Sequence, residues 1–427
     1  MKEAMLRFKK ILKNLSPSFY EKLIYAKDWI RSERGHLHRR RAKRIHQNKK
    51  ETIVVFLVLS PAEWSSLKTV YEACRQHPKA KPYIVVVEST RPIPEYREKE
   101  YIECLKFFRA IEPDAIGAKQ ENEWFDLRTL SPEIIFYQSP YNSMYPKPYD
   151  MSKVSRYAKI CYIPYGYAIS DCKERKTYFE IQYGRPLVEE AYAIFASNSS
   201  DNEYLKLMNR DIAPRKDICI FDVGSPRCDL IKWPNRRSRG ERVIFGWTPR
   251  WEMQGDGHKG TNFFRYKDKL VHYFKLHPEC DLIIRPHPLM FSNFIEKGIM
   301  TFEDVDAFKK SLLETENIKL DNEPNYQTLF EKTDALIMDY SSLIFEFSLT
   351  GKPMIYCDSL DGLNKQTKQL LLCDYIALNW EEMLRYIEMI MKCEDPNKEK
   401  RDAVIEKILR GNHGNVGKSI LEICLDL

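Results

Sequence analysis

The feature that most narrows what this chain can fold into is a pair of series of short apolar runs, separated by a stretch rich in Pro and Arg. The first series is Thr52–Leu59, Tyr83–Val87, Ile134–Gln138, Lys159–Pro164 and Tyr192–Ser197. The second is Val243–Trp247, Leu282–Arg285, Ile318–Leu320, Ala335–Met338 and Met354–Cys357. The runs are rich in Val and Ile and do not alternate apolar with polar residues, as parallel strands covered on both faces require. Polar helical patterns separate them, at Trp64–His77 and Glu95–Ala110 in the first series. In the second they lie at Phe263–Leu276, Tyr326–Glu331, Leu343–Thr350 and Trp380–Lys392. Strands alternating with helices wind a sheet on both faces, so two series predict two doubly wound α/β domains. A chain of 427 residues also exceeds what one hydrophobic core usually supports. The break at Gly224–Arg242 is the expected linker. The chain then divides into a basic helical extension over 1–50, a first domain over 51–235 and a second over 236–427.

The net charge of +7 is concentrated at one end. Residues 1–50 hold 16 Lys and Arg against 4 Asp and Glu, which leaves 52 of the 68 basic and 57 of the 61 acidic residues for the remainder. Met5, Phe8, Ile11, Leu12 and Leu15 recur at spacings of three and four, an apolar stripe on a basic helix. Such a helix fits an anionic membrane surface, where each basic residue contributes about 1 kcal/mol. Packing on the body of the protein is the plainer use of the same pattern. Residues 1–44 are therefore the expected membrane contact. Nucleic acid is not an expected partner, because no nucleic-acid-binding motif accompanies the basic run. No apolar run reaches the roughly 18 to 20 residues that span a bilayer, and Arg7, Lys9 and Lys10 interrupt any secretory signal. The eleven cysteines form no C-x-x-C pair and no zinc spacing. These features predict a cytoplasmic protein, peripheral on the inner face of the membrane, with reduced thiols and no cofactor or metal.

In open parallel sheets, ligands bind beyond the carboxyl ends of the strands. The chemically able residues of this sequence gather at just such positions. Ala335–Met338 is followed by Asp339, Tyr340, Ser341 and Ser342, then by a helix carrying Glu346. Serines at a helix opening offer N–H groups and hydroxyls to a phosphate, although capping alone also favours Ser341. In Arg285-Pro286-His287-Pro288 the prolines stiffen the turn that carries the histidine. Arg285 can grip phosphate oxygens two at a time and His287 can exchange a proton near neutral pH, a structural histidine being the alternative. Thr248 and Arg250 follow Val243–Trp247, Arg227 lies near the linker, and Tyr165-Gly166 closes Lys159–Pro164. Each signal is weak by itself, because such turns are common on surfaces.

In this order, GSPRCD, WTPRW, RPHP and DALIMDYSSLIFEF followed by KPMIYCD resemble the CDP-glycerol glycerophosphotransferase family, over roughly Lys159–Asp358. That family comprises teichoic-acid primases and polymerases and related capsule-synthesis enzymes. The resemblance implies a GT-B architecture, two Rossmann-like domains facing a cleft, and peripheral attachment to a membrane. It implies that Ser341 and Ser342 hold the donor diphosphate and that His287 acts at the transferred phosphate. Arg227, Thr248, Arg250, Arg285, Asp339 and Glu346 are the other expected donor-side residues. The implied substrates are a CDP-alditol and a membrane-linked glycan or growing polymer.

The sequence departs from the family pattern at two points. Asp358 arrives early after KPMIYC, and Tyr165-Gly166 stands where the family has His-Gly, whose histidine is its proposed base. A tyrosine with a pKa near 10 is a poor base at neutral pH. The base therefore stays open among Tyr165, His258 and an acidic residue of the first domain. The expected reaction moves an alditol phosphate, glycerol phosphate foremost, onto a hydroxyl and releases CMP. The competing readings are a GT-B glycosyltransferase using a nucleotide-sugar and a catalytically silent, membrane-attached partner in polymer assembly.

Overall fold

The computed structural model describes the chain except for residues 1–15, 46–50, 91–93, 122, 172–182, 184, 200–201, 204, 207–217, 232–241, 254–258, 324 and 409–413. The described residues form two compact units. Met1–Tyr165, Lys173–Ser225 and Gly417–Leu427 make the first, and Gly166–Cys172 with Pro226–Val416 the second. The division at Ser225 falls inside the expected linker stretch. Three segments differ from the expected partition, since 166–172 and 226–235 cluster with the second unit and 417–427 with the first.

The first unit carries helix α1 (Pro17–Ile45) and a parallel sheet of β1 (Thr52–Val58), β2 (Ala80–Val86), β3 (Ile116–Gly117), β4 (Ile134–Tyr137), β5 (Lys159–Tyr162), β6 (Ala193–Ala196) and β7 (Cys219–Asp222). Their order across the sheet is β3-β2-β1-β4-β5-β6-β7. Helices α2 (Lys68–Gln76), α3 (Pro94–Ile111) and α4 (Arg185–Glu190) connect the strands. Val54, Val55, Phe56, Leu57 and Val58 are all fully buried, which accounts for the run without alternation. Each such side chain contributes about 1.5–3 kcal/mol on burial.

Helix α1 packs against its unit with an unusual face. It buries Gly35 and Ala42, and pins Arg34 and His38 to the buried Glu190, each at 3.2 Å. Phe19, Leu23, Ile30 and Leu37 share one stripe and are 45–62% exposed. The stripe of Met5, Phe8, Ile11, Leu12 and Leu15 lies outside the described residues.

The second unit holds a six-stranded parallel sheet of β8 (Val243–Thr248), β9 (Cys280–Ile284), β10 (Ile318–Leu320), β11 (Ala335–Met338), β12 (Met354–Tyr356) and β13 (Tyr375–Ile376). Between them run α5 (Phe263–Leu276), α6 (Met290–Glu296), α7 (Phe302–Leu313), α8 (Gln327–Lys332), α9 (Leu343–Ser348) and α10 (Lys365–Leu371), and α11 (Trp380–Met391) and α12 (Lys398–Ile408) follow. The order β10-β9-β8-β11-β12-β13 makes β8 and β11 neighbours. The chain winds outward to one side from β8 and to the other from β11, so the switch point lies beyond their carboxyl ends. One face of the sheet packs Phe245, Trp247, Phe263 and Phe274, and the other packs Leu336, Met338, Ile344 and Phe345. Helix α13 (Val416–Asp426) then returns to the first unit, where a Cβ on Gly417 would lie 2.5 Å from the Thr69 carbonyl carbon.

Candidate active site

The switch point of the second sheet is built by two loops tied together through Asp339. Its carboxylate is buried and accepts the backbone N–H of Arg250 at 2.9 Å and of Asn262 at 3.0 Å, with the Asn262 side-chain amide at 3.1 Å. Burial pushes the Asp339 carboxyl upward, and these N–H donors oppose the shift. Asp339 therefore positions the loop after β8 against the loop after β11. Arg250 donates to the Tyr340 carbonyl at 3.2 Å and to Glu252 at 2.9 Å, and lies over the Tyr340 ring. Thr248 ends β8 with its hydroxyl buried and, among the described residues, without a hydrogen-bond partner.

The serines divide their tasks. Ser341 Oγ accepts the Leu343 N–H at 3.3 Å, the local bond expected of a cap. Ser342 opens α9 with no capping bond from its side chain. Helix α9 ends at Ser348 rather than at the expected Thr350.

Gly166 lies beside that hydroxyl. A Cβ placed on it would be 3.4 Å from Ser342 Oγ and 3.8 Å from Arg227 Nη1. The segment from Gly166 is held there by the second unit. Tyr167 stacks on Phe345 at 4.4 Å and its hydroxyl meets the Cys228 thiol. The Ser170 and Tyr340 hydroxyls bond, and Asn364 donates to the Ala168 carbonyl at 2.7 Å. Tyr165, half-buried, belongs to the first unit.

Arg227 and Glu346 form a buried ion pair, Nε to Oε1 at 2.5 Å, and the Tyr326 hydroxyl bonds to both partners. The Tyr326 hydroxyl donates to Glu346 Oε1 at 2.6 Å and accepts from Arg227 Nε and Nη2 at 3.1 and 3.0 Å. Burial alone would lower the guanidinium's pKa, but the Glu346 carboxylate and Tyr326 raise it overall. Burial pushes Glu346 upward, with Arg227 and Tyr326 holding it back. Glu346 is fully buried. Tyr326 carries no signal in the sequence, because its role comes from a contact between distant loops.

His287 follows β9 on the stiff turn and tilts against Trp251 at 5.8 Å. Desolvation, with the nearby Arg250 cation, lowers its pKa to about 4. His287 is nonetheless exposed, and water screens the shift without changing its direction. Its Nδ1 accepts the Leu289 N–H at 3.2 Å, so the neutral ring carries its proton on Nε2. Arg285 pairs with Asp321 at 2.8 Å, both largely buried. The second unit thus brings Arg227, Ser342, Glu346 and Gly166 into one cluster and Arg250, Asp339 and His287 into another, with Ser341 in the loop joining them. His258 lies outside the described residues. Among those residues no group of three or more His, Cys, Asp or Glu is arranged to hold a metal.

The family described as CDP-glycerol:poly(glycerophosphate) glycerophosphotransferase matches residues 189–425. A search of curated protein sequences finds no match. Among solved structures, the wall teichoic acid polymerase TagF, a variant soaked with CDPG, has a TM-score of 0.56 at 15% identity, over 96% of this chain and 97% of that one. A UDP-GlcNAc 2-epimerase from Neisseria meningitidis, bound to UDP-GlcNAc, has a TM-score of 0.57 at 11% identity, over 88% of this chain and 100% of that one. An S. aureus MnaA–UDP structure reaches 0.53 at 10% identity, over 88% and 97%. At these identities the likeness concerns the fold, two parallel α/β units of GT-B type.

Proposed function

The chain belongs to the CDP-glycerol:poly(glycerophosphate) glycerophosphotransferase family, and on that footing we propose that it moves glycerol phosphate from CDP-glycerol to a hydroxyl of a membrane-linked or growing cell-surface polymer, with release of CMP. The observation that carries the reading is the meeting of Arg227, Ser342 and Gly166 beside the switch point of the second sheet. A guanidinium, a hydroxyl unused by the helix and a residue without a side chain suit a diphosphate that needs donors and room.

In this reaction the acceptor oxygen bonds to the β-phosphorus while the bond from that phosphorus to the oxygen retained by CMP breaks. Charge grows on the phosphoryl oxygens and on the departing CMP, so fixed positive donors do most of the catalysis. Arg227 and Ser342 face the diphosphate, and Arg250 adds positive potential from its braced position. His287, neutral and protonated on Nε2, donates a hydrogen bond to a phosphoryl oxygen, and the negative donor raises its proton affinity toward that of a useful acid. The acceptor proton goes to a base among Tyr165, His258 and an acidic residue of the first unit.

The membrane is the second partner. An amphipathic helix of a water-soluble protein turns its apolar stripe inward. Helix α1 turns Gly35 and Ala42 inward, ties Arg34 and His38 to Glu190, and leaves Phe19, Leu23, Ile30 and Leu37 exposed, with Arg40 and Arg41 exposed nearby. That inversion fits a surface of anionic lipid, which would hold the enzyme on the cytoplasmic face beside its acceptor. Among the described residues no helix is long and apolar enough to cross a membrane.

Tyr165 in place of the family histidine favours one second reading, sugar transfer from a nucleotide-sugar. A mass-spectrometric screen of donors with membrane extract separates the two. CMP from CDP-glycerol or CDP-ribitol supports phosphotransfer, and a nucleoside diphosphate from a nucleotide-sugar overturns it.

A further inference from the structure

Arg227 is held by a residue that the reaction scheme does not use. The Tyr326 oxygen occupies the Nε/Nη2 edge of the guanidinium, at 3.1 and 3.0 Å. That is the edge on which a carboxylate makes a two-fold pair. Glu346 meets that edge at Nε, Oε1 lying 2.5 Å away, and the same oxygen accepts the Tyr326 hydroxyl at 2.6 Å. Glu346 Oε2 is buried and, among the described residues, has no hydrogen-bond partner. A buried acceptor in that state costs about 1–3 kcal/mol, so a closed, two-fold Arg227–Glu346 pair is the natural competitor to the arrangement observed. The Tyr326 oxygen stands where the second bond of that pair would form. The tyrosine is itself braced, with its ring 5.3 Å from the guanidinium carbon and 5.4 Å from the Phe330 ring.

We propose that Tyr326 is a positioning residue for the donor phosphates, a wedge that keeps Arg227 from closing on Glu346 and so holds its Nη1 against Gly166 and Ser342. This rests on the reading of Ser342 and Arg227 as the diphosphate contact. It adds what sets the direction of the arginine. Removing the oxygen while keeping the ring lets Glu346 take the whole edge, satisfies its second oxygen and draws the guanidinium away from Ser342. The fold gains a better buried pair as the site loses a donor.

The test is Tyr326→Phe in the full chain, with inorganic pyrophosphate and CDP as calorimetric probes and urea unfolding alongside. Pyrophosphate and CDP should each bind about tenfold more weakly, the loss of one charge-assisted hydrogen bond. Unfolding stability should be unchanged or higher, and KM for the donor should rise while KM for the acceptor stays. Unchanged affinity overturns the proposal. So does a fall in affinity accompanied by a matching fall in stability, which is what a merely structural tyrosine would give. Wild-type protein that binds no pyrophosphate removes the anion site and the proposal with it. Wild-type protein that binds pyrophosphate but forms no CMP from CDP-glycerol contradicts the donor reading alone and leaves Tyr326 in its role.

Discussion

Asp339 accepts the backbone N–H of Arg250 at 2.9 Å, joining the loop after β8 to the loop after β11 across the switch point of the second sheet. The same oxygen takes the Asn262 N–H, so one side chain fixes both Arg250 and Asn262. Asp339→Asn leaves one carbonyl oxygen for these donors and turns an amide toward the Asn262 amide. It should cost about 1–3 kcal/mol in urea unfolding and weaken CDP binding through the displaced loops. A variant as stable as wild type would remove Asp339 from this positioning role.

Gly166→Ala tests the room beside Ser342. The added methyl lies at ordinary contact distance from Ser342 Oγ and Arg227 Nη1, so the fold should persist. It takes space that a phosphate needs, and CDP should bind about tenfold more weakly, the scale of one lost charge-assisted contact. Equal affinity would put the diphosphate elsewhere.

His287→Ala should cut turnover by a factor of about 10² or more while leaving CDP binding largely intact. A pH signature accompanies it. Desolvation and Arg250 lower the folded pKa to about 4, below the unfolded value. The unfolded chain therefore binds the proton first, and the stability present above the unfolded pKa is lost as pH falls through about 4. Urea unfolding at pH 5 and pH 7 should show a shallower loss for the variant than for wild type. Identical slopes would mean that the ring titrates like free histidine.

Gly417→Ala concerns the first unit alone. A Cβ at that position would sit 2.4 Å from Thr69 Oγ1 and 2.5 Å from the Thr69 carbonyl carbon, so α13 and α2 must part to admit it. The variant should lose about 1–3 kcal/mol of stability, as overpacked sites do. Thermal unfolding unchanged from wild type would show that the two helices separate at no cost.

For the membrane, replacing Phe19, Leu23, Ile30 and Leu37 with serine should move the protein from anionic vesicles into solution in a flotation assay. None of these side chains supports the fold, since all four are exposed. A variant that still floats would place the lipid contact elsewhere.

The long elements of the fold were legible because burial on both faces writes itself as unbroken Val and Ile, as in Val54–Val58 and Ala335–Met338. The strands β3, β7 and β13 were not. They lie at sheet edges with two to four residues each, too few to carry a pattern. The loops that hold the site were legible as motifs, yet the tasks of their residues were not. Asp339 and Glu346 were expected on the donor side, and both are buried, Asp339 on backbone N–H groups and Glu346 on Arg227 and Tyr326. Tyr326 had no motif at all, because it acts through Arg227, 99 positions away. The return of 417–427 to the first unit was equally silent, since an amphipathic helix does not declare which core it covers.

The central claim is transfer of an alditol phosphate with release of CMP, and the most direct measurement follows the label in CDP-glycerol carrying radioactive glycerol, incubated with the full chain and acceptor-bearing membranes. Label in polymer and CMP should appear in equal amounts, both cut by a factor of about 10² or more in His287→Ala. Label left in the donor while a nucleotide-sugar yields its nucleoside diphosphate, or CMP accompanied only by free glycerol phosphate, would contradict it.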